Sequence, residues 1–239
     1  MPSTEQLQHV FARNAWFMGL PEPARLALWP LLRLRRLNDG QPVFLRGEAG
    51  GGWFGVVEGA LQVSGVSADG KRVALALLEP GNWVGEVSAL DGRERTHDVV
   101  AHGATLIAAL SQPDFDGWTA AHPGVREQFV ALLCSRLRQT YAFIEELQTL
   151  SKPTLIARRL LLLARTFGEV DPSDAGGSTR LQVRLSQEDI ATLLGLSRQR
   201  INQELQRLAQ LGIAEASYGH VRIHDLEALR REAEPGPPP

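Results

Sequence analysis

Apolar positions keep a different rhythm in each of three successive stretches of the chain, and each rhythm predicts a different kind of element. Between about residues 35 and 112 they come in short runs, Val43-Phe44-Leu45, Phe54–Val57, Leu61–Val66, Val73–Leu78 and Thr105–Leu110. Turn signals punctuate these runs at Asn38-Asp39-Gly40, Gly50-Gly51-Gly52, Glu58-Gly59, Asp69-Gly70, Pro80-Gly81, Asp91-Gly92 and His102-Gly103. Many short strands at this spacing predict a small sandwich or barrel of the jelly-roll kind. Helical patterns over Gln6–Phe11 and Pro23–Leu32 precede it. No strand alternates with a helix in βαβ fashion, so a parallel nucleotide-binding sheet is not expected.

From about 124 to 150 the pattern becomes helical without interruption. Val130, Leu133, Leu137, Thr140, Ile144 and Leu147 step by 3, 4, 3, 4 and 3, the a/d seam of a coiled coil. A single helix with such a seam needs a partner, which predicts a homodimer. A long helix lying along its own barrel would carry the same pattern. Ser151-Lys152-Pro153 then breaks the helix and forms a natural hinge. Ser151 can cap the next helix, Thr154–Phe167, where a proline in the first turn is tolerated. A polar loop (Asp171–Thr179) and a strand pair around Leu181–Leu185 follow.

Residues 186–206, SQEDIATLLGLSRQRINQELQ, predict two short helices joined by a tight turn. Ser186 caps the first, with Asp189 three residues on completing a capping-box-like start. Ile190, Leu193 and Leu194 form its apolar face, and Ala191 is small where the helices must cross. Gly195 supplies the positive φ that a sharp turn demands. Ser197 caps the second helix, whose Ile201, Leu205 and Leu208 share a face. Arg198, Gln199, Arg200, Asn202 and Gln203 are left as a donor-rich opening, and such side chains match base edges in the major groove. An ordinary αα-corner with a solvated face would look similar. Beyond Leu211, however, Gly212 stops the helix and two alternating segments, 213–216 and 220–223, flank a Tyr218-Gly219 turn. A helix-turn-helix followed by a hairpin is a winged helix, which predicts DNA binding.

The whole reads as an α+β chain: a barrel domain over 1–123, a dimerisation helix over 124–150, a winged helix-turn-helix over 151–230 and a disordered Pro-rich tail over 231–239. Its 239 residues suffice for two modest cores. The single cysteine, Cys134, excludes a disulfide framework and an intrachain cysteine-based zinc or iron–sulfur site, and is expected to be a packed small side chain. Met1–Gln8 is polar, unlike a secretory leader, and runs such as Leu160–Ala164 are far too short to span a bilayer. A cytoplasmic protein with no membrane association is expected. Net charge is −2, so attraction to DNA must be local. Arg180, Arg184, Arg198, Arg200 and Arg207 stand against Glu188, Asp189 and Glu204, which predicts weak, salt-sensitive binding to random DNA.

Candidate ligand chemistry sits within the β block. Gly81–Leu90 ends a strand and opens a helix-like turn whose free N–H groups suit an anion. Gly85 allows close backbone approach, Glu86 can accept from a ribose hydroxyl, and Arg95, followed by Thr96, can fork onto a phosphate. Glu86 and Arg95 can equally pair with each other. Trp53 and Trp83 read as barrel residues. His220 and His224 lack a third metal ligand. No nucleophile–base–orienter set, metal motif or phosphate loop with lysine is evident, so neither catalytic residues nor an enzyme are expected.

In this combination the chain resembles the Crp–Fnr superfamily of bacterial regulators, from about residue 15 to 230. Gly85-Glu86-Val87 and Arg95-Thr96 match that family's phosphate-binding cassette, where the Glu holds the ribose and the Arg with the next hydroxyl holds the cyclic phosphate. Arg136–Tyr141 matches the dimer-helix stretch from which a Thr and a Ser reach the adenine across the interface; Thr140 is retained and Tyr141 replaces the Ser. Ser197-Arg198-Gln199-Arg200 matches the start of the recognition helix. His97-Asp98, Tyr141, Glu204, Arg200 and Gln203 depart from the usual pattern. The resemblance implies a homodimeric transcription regulator on a palindromic operator, controlled by cyclic AMP and working with RNA polymerase. The alternative is a regulator of the same kind that binds DNA with another effector or none.

Overall fold

The computed structural model describes residues 2–66, 70, 72–170, 177–217 and 219–235. Asp69, most of the polar loop at 171–179, Tyr218 of the wing turn and the end of the Pro-rich tail lie outside the described residues. Contacts group the chain into two units, Met1–Gln139 and Thr140–Pro239.

In the first unit, α1 (Thr4–Phe11) begins at a capping box between Ser3 and Gln6. Next come α2 (Ala15–Met18), capped by Asn14, and α3 (Glu22–Leu28), which passes into a 3-10 turn at Trp29–Leu31. The helix expected over Pro23–Leu32 is thus shorter and tightens at its end, where Pro30 removes a helical N–H. The strands are β1 (Arg33–Leu37), β2 (Pro42–Phe44), β3 (Trp53–Val66), β4 (Arg72–Leu78), β5 (Trp83–Val84) and β6 (Asp98–Leu110), with α4 (Glu86–Asp91) between the last two. They form one antiparallel sheet in the order β1-β6-β3-β4, with β2 on β6 and β5 on β3. The arrangement is jelly-roll-like, as the turn spacing predicted, and among the described residues the sheet is open.

Two of the expected turns are not turns. β3 and β6 run straight through Glu58-Gly59 and His102-Gly103, where the register between them shifts twice. Gly59 and Gly103 hold φ of 77° and 75° at these bulges. A Cβ on Gly59 would lie 2.4 Å from the Ala104 carbonyl oxygen, so the strand needs glycine there. A polar residue followed by glycine marks a bulge as readily as a turn, and the sequence pattern does not separate them.

Aromatic stacking holds this unit together. The rings of Trp53 and Trp83 stack at 3.8 Å, Phe11 packs on Trp83 at 4.5 Å, and all three are buried. After α5 (Gln112–Ala121), the helix α6 (Val125–Thr149) begins by burying Val125 and Phe129, the latter edge-on to Trp53 at 5.3 Å. Its first turns therefore do lie on their own unit. Beyond them the seam is open: Val130 is 61% exposed, Leu137 51% and Ile144 43%. Cys134 is exposed rather than packed, since it lies on the helix after the buried turns.

In the second unit, α7 (Lys152–Phe167) starts where the Ser151 hydroxyl accepts from the Thr154 N–H, and it buries Leu155, Ile156, Leu160 and Leu163. β7 (Gly168–Val170) and β8 (Thr179–Leu181) pair with each other, so the strand pair expected around Leu181–Leu185 is displaced toward the N-terminus. Val183 and Leu185 are buried from irregular backbone, which explains their strand-like alternation. Then come α8 (Gln187–Leu194), α9 (Arg198–Gln210), β9 (Ala214–Ser217), β10 (His220–Ile223) and α10 (Leu226–Glu232). The sheet order is β7-β8-β10-β9, and the β9–β10 hairpin is the wing. Neither α5 nor α10 is evident from apolar periodicity.

Candidate functional site

Gly85 precedes α4 in the left-handed region, at φ 98°. A Cβ there would stand 2.9 Å from Arg95 Nη1 and 3.1 Å from the Gly52 carbonyl oxygen. The glycine is thus required by both conformation and space. Arg95, 3% exposed, lies beneath it. Its Nη1 donates to the Gly85 carbonyl at 3.0 Å, and its Nη2 donates to those of Gly51 and Gly52 at 2.5 and 3.0 Å. The guanidinium also stacks on the Phe44 ring, 4.1 Å from its centroid. Burial pushes the Arg95 pKa down, and the carboxylates of Glu48 and Glu86 oppose that shift.

Glu86, 2% exposed, does not pair with Arg95. Its Oε1 accepts from Arg136 Nη1 on α6, and Arg136 Nη2 donates to the Trp83 carbonyl at 2.6 Å. Within the cassette, Glu86 Oε2 and Arg95 Nε are buried without a protein partner. An unpaired buried acceptor and an unpaired buried donor each carry an uncompensated desolvation cost, which a ligand can remove. Thr96 is exposed and its hydroxyl lies 2.9 Å from His97 Nδ1. Val87 is 41% exposed on the same short helix. Arg95 thus touches Gly85 and feels the charge of Glu86, while Val87 and Thr96 adjoin these residues in sequence. Thr140 and Tyr141 belong to the second unit, exposed on α6.

Sequence reasoning missed Arg136 as the partner of Glu86, and it missed the Gly51-Gly52 backbone as a source of Arg95 acceptors. Neither is adjacent in sequence to the residue it serves. No local signal announces them beyond an arginine on the helix and a run of glycines.

The nucleic-acid elements follow their local signals closely. Ser186 and Asp189 form a capping box on α8, Gly195 ends it at φ 62°, and the Ser197 hydroxyl accepts from the Arg200 N–H at the start of α9. Ile201, Leu205 and Leu208 are buried, while Ser197, Arg198, Gln199, Arg200 and Gln203 are exposed. Asn202 is half-buried and accepts from Gln187 Nε2 at 3.0 Å. A cleft of about 390 Å³ runs between Ser186, Gln187 and Glu188 at the start of α8, Arg198 on α9, and Ala216, Ser217 and Gly219 of the wing. Glu204, the unusual acid on α9, is 4% exposed and accepts from Arg207 Nε at 2.8 Å. Arg207 also reaches Glu232 on α10, and these carboxylates raise its pKa. The departure from an apolar residue is compensated by a charge bridge that ties α10 to α9.

Residues 34–122 match the cyclic nucleotide-binding domain family, and residues 156–232 match the Crp-like helix-turn-helix domain family. Together they define the class: a transcription regulator that joins a cyclic nucleotide-binding domain to a DNA-binding helix-turn-helix. The CRP-like cAMP-activated global transcriptional regulator of Mycobacterium tuberculosis is 30% identical across 95% of this chain and 100% of its own length. The cyclic AMP receptor protein of Thermus thermophilus is 31% identical across 91% of this chain and 95% of its own length. The crystal structure of a CRP-family transcriptional regulator from Thermus thermophilus superposes with a TM-score of 0.69 at 27% identity, covering 83% of this chain and 96% of the other. The chain belongs to the Crp–Fnr superfamily of regulators. No helix among the described residues is long and apolar enough to cross a membrane.

Proposed function

We propose that the protein is a homodimeric transcription regulator whose affinity for a palindromic operator is set by a cyclic mononucleotide, cyclic AMP first among them. The observation that carries this reading is the pair of orphaned buried atoms in one cassette, the Glu86 Oε2 acceptor and the Arg95 Nε donor. They fit a ribose hydroxyl and a cyclic phosphate in kind, and the missing side chain of Gly85 leaves room for the Arg95 guanidinium beside it. The exposed Thr96 hydroxyl adds a second donor for the phosphate. Arg95 spends its outer nitrogens on the Gly51, Gly52 and Gly85 carbonyls, so a phosphate competes with these for the guanidinium. Thr140 and Tyr141 are assigned to the base by family resemblance, and the exposed seam through Leu137 and Ile144 is the surface for the second copy. Arg198, Gln199, Arg200, Asn202 and Gln203 read bases, while Ser186 and Ser197 present helix N-termini to phosphates.

The nucleotide acts only through its different affinity for the two arrangements of the dimer. We assign the protein a regulatory rather than an enzymatic role in the cytoplasm, with RNA polymerase as a further partner. The second reading, DNA binding under another effector or none, is favoured by His97 beside the cassette and by Tyr141 on α6. Calorimetric titration separates the two. Saturable binding of cyclic AMP or cyclic GMP, one per protomer, supports the first. The absence of binding by both supports the second.

A further inference from the structure

His97 follows the cassette directly, just before β6, and its position is chemically specific. Its Nδ1 lies 2.9 Å from the Thr96 hydroxyl oxygen, the group proposed above to donate to the phosphate. A hydroxyl has one proton to give. If Nδ1 carries no proton it accepts that of Thr96, and the hydroxyl can then offer the phosphate only lone pairs. If Nδ1 carries a proton it donates to Thr96, and the hydroxyl is free to donate onward. Protonation of the ring fixes the second arrangement, because both nitrogens are then donors, and it adds a positive charge one residue from the phosphate-binding hydroxyl.

The surroundings disfavour a charge on the ring. Burial and the Arg46 cation lower the His97 pKa, and Asp98 opposes them. Asp98 is itself engaged, since its Oδ1 accepts from the Arg46 N–H at 2.8 Å. From β3, the backbone at Gly65 faces the ring; a Cβ there would lie 3.8 Å from His97 Cδ2. Across the cassette stand Arg95 and, acting on it, Glu48 and Glu86. Arg46 and Asp98 thus act on His97, and Glu48 and Glu86 on Arg95.

We propose that His97 is a third member of the phosphate-binding set, and that the protein takes up a proton there when it binds its cyclic phosphate. This inference rests on the cyclic-nucleotide reading of the cassette. The sign follows from linkage. An anion beside the ring raises its pKa, so the bound state holds more proton than the free state, and affinity rises as pH falls. The window lies between the lowered pKa of the free protein, below about 6.5, and the higher value in the complex. Sensitivity to the ligand thereby becomes sensitivity to acidity.

The test is titration calorimetry of the full-length dimer with cyclic AMP and cyclic GMP, in two buffers of different ionisation enthalpy, at pH 7.5 and 5.5. The expected result is proton uptake on binding and an affinity about threefold or more higher at pH 5.5. His97→Asn keeps a donor within reach of Thr96 but cannot titrate, so it should bind with neither uptake nor pH dependence. Binding by the wild type without uptake overturns the proposal, as does uptake that His97→Asn retains. No binding by either nucleotide overturns the cassette reading itself, and this inference falls with it.

Discussion

Arg136, on the helix that carries the open seam, donates to the buried carboxylate of Glu86 at the start of α4. The same guanidinium donates to the Trp83 carbonyl, so one side chain fastens α6 to the cassette at two points. A ligand that engages Glu86 therefore acts on a residue already gripped by α6. Removal of Arg136 leaves a carboxylate that is 3% exposed without its charge partner. Because Arg136 itself is a third exposed, Arg136→Ala is expected to cost about 1–3 kcal/mol of stability, less than a fully buried pair. Thermal melting of the ligand-free protein measures it; an unchanged midpoint would show that the pair carries no net energy.

Leu137→Asp introduces a charge on the exposed seam. Leu137 is 51% exposed in the single chain, so the substitution is expected to leave the protomer folded while yielding monomers. Sedimentation reads the mass and circular dichroism the fold. A palindromic operator is bound through two half-sites, so the monomer should also lose most of its specific affinity. An intact dimer would move the interface to another surface.

Arg198 is exposed at the first position of α9 and lines the cleft toward the wing. If Arg198 makes a bidentate contact to a guanine, Arg198→Ala is expected to cost about 1–3 kcal/mol on the specific operator and much less on random sequence. Fluorescence anisotropy with both DNAs checks this. Equal losses on the two would mark Arg198 as a phosphate clamp.

What was legible in the sequence is what local chemistry decides. Ser186, Asp189, Gly195 and Ser197 fix the helix ends by bonds within four residues, and the two helices and the hairpin after them lie close to their expected positions. Gly85, Glu86 and Arg95 were legible as a set because the short α4 keeps them close. The partners of that set were not legible. Arg136 lies 50 residues beyond Glu86, and the Gly51 carbonyl accepts from an arginine 44 residues on. A glycine run announces only a turn, and nothing local says whose hydrogen bonds its carbonyls will accept. The same limit produced the two false turns in β3 and β6, where only the pairing across the sheet distinguishes a bulge from a reversal.

A cyclic phosphate that meets Arg95 is expected to change the affinity for DNA. Operator binding by the wild type and by Arg95→Ala, measured by fluorescence anisotropy across a titration of cyclic AMP and of cyclic GMP, tests it directly. The wild type should gain DNA affinity with the right nucleotide. Arg95→Ala should require far more of it, since a charge-assisted pair in an enclosed site is worth about 2–5 kcal/mol. Should both nucleotides at millimolar concentration leave wild-type DNA binding unchanged, cyclic-nucleotide control is ruled out and control by another effector, or by none, takes its place.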